Sequence, residues 1–134
     1  MKSDTRKVLV ISHIAFSDNN NMSKTLSAYF KEFDKNNIAQ LYFYPEFPSV
    51  DNGVCENFYR ITDTEAIKSI FLRFDVGNQI YLKNDTIKQT SKTVSNLHEF
   101  GRKRSPLIYL GRDIIWSLSA WYSRKLKKWL DDFQ

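Results

Sequence analysis

The chain has 134 residues, enough for one domain that buries its own core, and a formal net charge of +5. A single cysteine, Cys55, excludes an internal disulfide and a multi-cysteine metal site and fits a reducing compartment, so a cytoplasmic location is expected. No apolar run approaches the roughly 20 residues that span a bilayer, and Met1 to Arg6 lead into only about seven apolar-rich positions, so neither a transmembrane helix nor a signal peptide is read.

The first element predicted is a buried strand over about Lys7 to Ile14. It feeds a helix through the polar run Ser17-Asp18-Asn19-Asn20-Asn21. Asn20 or Asn21 is the expected N-cap, and Met22, Leu26, Tyr29, Phe30 and Phe33 form the apolar stripe that packs on a sheet. Strand two is Ile38 to Tyr44, stopped by Pro45 and Pro48. A strand, helix and strand in that order make a parallel pair with a crossover. After a turn-rich loop, Phe58 to Ile61 reads as a short third strand. Thr62 and Glu65 then have capping-box spacing before a second helix with Ile67, Ile70, Phe71 and Phe74.

From Asp75 to Ser105 the periodicity fails, and short helical or irregular pieces are expected. Ser105-Pro106 then has the pattern of an N-cap followed by proline in the first turn. Leu107, Leu110, Ile114, Leu118, Tyr122, Leu126, Trp129 and Phe133 step by three or four, which predicts one amphipathic helix of up to 28 residues. An α/β alternation would place another strand after Gln134, so the sheet is expected to be incomplete and the chain to be part of a longer polypeptide.

In open α/β sheets ligands bind beyond the carboxyl ends of the strands, next to helix N-termini. That places the candidate site in the loop after strand one. Asn20, Asn21, Ser23 and Lys24 suit hydrogen bonding to a polyhydroxylated ligand, and His13, at the end of the strand, can orient a hydroxyl or act as a base. The simpler reading of these residues is a capped helix, a solvated loop and a structural histidine. Met22-Ser23-Lys24-Thr25 resembles the lysine and hydroxyl end of a phosphate loop but lacks the paired glycines, so no nucleotide-triphosphate site is expected. His13 and His98 have no metal-ligand spacing, and Glu46 and Asp63 are single acids with structural readings.

The basic character belongs to one segment. Gly101 to Lys128 holds eight basic residues against one acid, Asp113, whereas the remainder holds twelve basic and fourteen acidic residues. Trp116, Trp121 and Trp129 interleave with Arg112, Arg124, Lys125, Lys127 and Lys128, a mixture that suits a membrane interface or a nucleic acid, although core packing of the tryptophans and a solvated charged face are the simpler readings.

The stretches Lys7 to Ser12, Ser17 to Asn21, Lys24 to Leu26, Ile38 to Phe43 and Cys55 to Asp63 resemble the N-terminal half of family-4-type bacterial glycosyltransferases with the GT-B fold, as do Leu110 to Trp116 and Lys127 to Phe133. The resemblance implies an α/β, Rossmann-like open parallel sheet forming the single domain 1–134, the acceptor-side half of an enzyme that moves a sugar from a nucleotide-sugar donor to a saccharide or lipid-linked acceptor in cell-surface polysaccharide synthesis. It implies no covalent cofactor. Two departures stand beside it: the position where the family commonly carries glycine has Met22-Ser23, and nothing corresponds to the donor-binding domain. The isolated chain is therefore expected not to turn over. The other reading is a stand-alone Rossmann-like module that engages a partner through the basic aromatic helix. That helix is expected to support a homodimer or peripheral attachment at the inner face of the membrane, and nucleic acid is not an expected partner.

Overall fold

The computed structural model describes residues 6–49, 53–72, 76–81 and 106–134. Its frame is a four-stranded sheet in the order β1-β2-β3-β4, with β1 Val8–Ser12, β2 Ile38–Tyr42, β3 Asn57–Arg60 and β4 Asn78–Ile80. The first three strands are parallel, with Val8 opposite Ile38 and Ala39 opposite Asn57, as the sequence predicts. β4 is a short antiparallel addition, with Arg60 opposite Asn78, inside the stretch expected to be irregular. Polar Asn78 and Gln79 hide it from any reading by alternation. Of that stretch only residues 76–81 are described, and the remainder, including His98, lies outside the described residues.

The sheet has helices on both faces. Helix α1, Asn21–Phe30, joins β1 to β2 and packs Leu26 and Phe30 on Val10, Ile38, Tyr42 and Phe58. Leu26, Phe30 and Phe33 of the expected stripe pack on the core, but Met22 and Tyr29 are exposed, and the buried helix positions are Ser23 and Ser27. Two small side chains let the helix approach Phe16, whose ring meets Phe30 at 5.8 Å and Phe58 at 6.4 Å, so aromatic bulk from the loop fills the space that Met22 was expected to fill. A 3₁₀ turn, Lys35–Asn37, capped by Asp34, leads into β2.

Helix α2, Asp63–Leu72, begins in the expected capping box: the Thr62 amide donates to Glu65 Oε2 at 2.9 Å and the Glu65 amide to Thr62 Oγ1 at 3.4 Å. The single terminal helix of the sequence reading is two helices, α3 Pro106–Leu118 and α4 Arg124–Phe133. Serines break it. Ser123 Oγ accepts from the Leu126 amide at 3.2 Å and donates to Val76 O at 3.1 Å, while the Ala120 amide donates to Ser69 Oγ at 3.3 Å. Backbone groups that a continuous helix would use internally are thus held by side chains and by tertiary contacts. Helix α4 covers the second face of the sheet, where Leu126 and Trp129 pack with Ala39, Leu41, Tyr59, Ile61 and Val76. Helix α3 packs on α2.

Gly77 is one of two described glycines with positive φ, at 86°, and a Cβ there would stand 2.4 Å from Tyr59 Cε1. Among the described residues, no helix is long and apolar enough to cross a membrane.

Candidate functional site

Three loops meet at the carboxyl edge of the parallel strands. The first, residues 13–20, is set from beneath by Gln40, a wholly buried polar residue in the otherwise apolar β2. Its Oε1 accepts from the Phe16 amide at 2.9 Å, and its Nε2 donates to Ser12 Oγ at 2.7 Å and to Ile14 O at 3.0 Å. A buried carboxamide costs free energy unless both of its ends are paired, and this one is satisfied only when the loop adopts this path.

The second loop, residues 43–49, is tied to the first. Ser17 Oγ and Ser49 Oγ lie 3.0 Å apart, the Asp18 amide donates to Ser49 Oγ at 3.1 Å, and the Ser49 amide donates to Phe16 O at 3.3 Å. His13 reaches the same edge, with its ring set edge-on to Tyr44 at 5.3 Å, and burial raises the pKa of the Tyr44 phenol. Arg60, at the end of β3, holds the loop from the other side: Nη1 donates to Pro45 O at 3.0 Å and the guanidinium stacks 4.5 Å from the Phe47 ring centre. Tyr42 adds a hydrogen bond from its hydroxyl to Glu46 O at 3.0 Å.

The third loop opens α2. Asp63 Oδ1 accepts from Trp116 Nε1 at 2.8 Å and lies 3.3 Å from Arg112 Nη2, fastening α3 beside the edge.

The candidate residues divide into two groups. Asn20 and Ser23 build the turn: Asn20 Oδ1 accepts from the Ser23 amide at 2.8 Å as the N-cap, and the Ser23 side chain is buried on the sheet side of α1. Asn21 and Lys24 are exposed on the first turn, and His13 is exposed at the end of β1. These three present donors and acceptors outward from one end of the sheet, where the partial positive charge of α1 also lies.

Gln40, Tyr44 and Arg60 were missed by reasoning from motifs. Gln40 had a signal, a single amide side chain in a run of apolar strand residues. Arg60 and Tyr44 had none, because their roles depend on which loops the sheet brings together. Cys55 is no part of the site: Sγ donates to Ile38 O at 3.2 Å, and burial pushes the thiol up to about 12. Among the described residues, no group of three or more His, Cys, Asp or Glu side chains is placed to hold a metal.

No protein-family model, curated protein or solved structure matches this chain.

Proposed function

We propose that this chain is the Rossmann-like acceptor-side domain of a GT-B glycosyltransferase, acting in the cytoplasm. The observation that carries the reading is the parallel β1-α1-β2 unit whose carboxyl-end loop is fixed by Gln40 and ends in exposed polar side chains. A fixed loop of short amide, hydroxyl and imidazole groups beside a helix N-terminus suits a sugar, which offers hydroxyls and no net charge. Asn21, Lys24 and His13 contact the acceptor hydroxyls, while Asn20 and Ser23 maintain the helix start from which the first two project.

The doubly wound order places β1 inside the sheet, between β2 and a later strand. Here, among the described residues, β1 pairs only with β2, and Leu9 and Ile11 stand exposed on it. An apolar edge of this kind invites further chain to cover it. A second domain supplies the nucleotide-sugar in this reading, and transfer needs both reactants held together. The purified chain therefore binds saccharides and leaves nucleotide-sugars intact. Saccharide-array binding, together with a nucleotide-release assay on nucleotide-sugars, tests both halves of the statement. Binding without release is expected, and release of free nucleotide by this chain alone refutes the division of labour.

A further inference from the structure

The outward side of α3 carries Leu107, Leu110, Ile114 and Leu118, which are 77%, 58%, 51% and 66% exposed. Their spacing of three, four and four residues puts them on one stripe along the helix. The opposite side already has its partner, since Trp116 packs edge-on against Phe43 at 5.3 Å and bonds to Asp63. Helix α3 is thus apolar on two sides and covered on one. Trp121 and Tyr122 are exposed in the break before α4, their rings 6.0 Å apart.

Cations follow directly. Arg124, Lys125, Lys127 and Lys128 are all exposed and have no acidic partner within 4.0 Å among the described residues. Asp113 is the one acid between Pro106 and Lys128. We infer that the outward face of α3, with Trp121, Tyr122 and the cations of α4, docks this chain on an anionic lipid surface.

Charge decides between a bilayer and a second copy. A two-fold contact through this face would set the same patch on both partners, so that two surfaces of net positive charge meet, each with the four exposed cations of α4 against Asp131 and Asp132. An anionic bilayer accepts the apolar stripe among its acyl chains, the Trp and Tyr rings at headgroup level, and the lysines at the charged surface. The inference goes beyond the sugar-binding reading and does not depend on it, because vesicle binding is read without a saccharide.

The test is sedimentation of the full chain with phosphatidylcholine vesicles, with and without about one third phosphatidylglycerol. Tryptophan emission is followed in parallel. Binding to the anionic vesicles should exceed binding to the neutral ones by about tenfold or more and should fall as salt is raised. The double variant Leu110→Ser/Ile114→Ser should weaken it at least about tenfold. Lys125→Glu/Lys128→Glu, which alters only exposed side chains and leaves the fold untouched, should weaken it by a similar factor or more. Equal binding to neutral vesicles, absence of binding, or wild-type binding by the charge variant overturns the inference. So does a concentration-dependent dimer that the Leu110→Ser/Ile114→Ser variant dissolves, which would identify this face as a contact between copies.

Discussion

Gln40 Oε1 accepts the Phe16 amide across 24 residues of sequence, at 2.9 Å, with both groups buried. The central strand thereby determines the course of the loop that carries the candidate site. Replacing Gln40 by Leu leaves the Phe16 amide without its partner and removes two further bonds, so a loss of about 2–4 kcal/mol is expected. Urea denaturation reads it as a lower midpoint at unchanged slope. An unchanged midpoint would show that the loop does not depend on the carboxamide.

The break between α3 and α4 gives a test by sign. Ser123 caps α4 and bonds to Val76 O, so Ser123→Ala should cost about 1–2 kcal/mol. In one continuous helix alanine would be neutral or slightly stabilising at that position. Thermal unfolding of the variant separates the two arrangements.

Gly77 and Gly53 both have positive φ, at 86° and 68°, but only Gly77 is crowded, by Tyr59, Ile61 and Arg60 O. Gly53→Ala should cost about 1 kcal/mol from backbone strain alone. Gly77→Ala must also displace the Tyr59 ring and the β3 backbone, so it should cost roughly 3 kcal/mol or more. Equal losses in urea denaturation would contradict the packing described around β4.

Alkaline pH should destabilise the fold. Burial pushes the Cys55 thiol from 9.0 up to about 12 and raises the Tyr42 phenol above 10.0, so the folded chain holds protons that the unfolded chain has released. The stability these groups contribute is complete below about pH 9 and is lost as pH rises toward 12, by roughly 1.4 kcal/mol per pH unit for each group within its window. Cys55→Ala should flatten the slope between about pH 9 and pH 11. A wild-type urea midpoint that stays level over that range would contradict the burial of both groups.

The sequence carries the parallel core because its signals are local. The run Val8 to Ser12, the amide cap before α1 and the Thr62–Glu65 box each lie within a few residues, and each forms as expected. What it conceals is tertiary. The apolar spacing from Leu107 to Phe133 is helical throughout, yet Ser69 and Val76, some 50 residues earlier, capture Ala120 and Ser123 and split the helix. Of the expected stripe, Leu26, Phe30 and Phe33 do pack on the core, but Met22 and Tyr29 stay exposed, because Phe16 enters from a loop that no periodicity describes. At the candidate site, Asn20 is legible as a cap, but its consequence, that Asn21 and Lys24 face outward while Ser23 turns in, follows from the packing of α1 on Phe16 and Phe30.

In the proposed function the carboxyl-end loops receive a saccharide. The most direct measurement is an amide chemical-shift map of the labelled chain titrated with the saccharides it retains on an array. Saturable shifts are expected at His13, Asn21, Lys24 and Tyr44, with binding weakened about tenfold or more by Asn21→Ala/Lys24→Ala and no change in fold. Shifts confined to α3 and α4, or no shift with any saccharide, would contradict it.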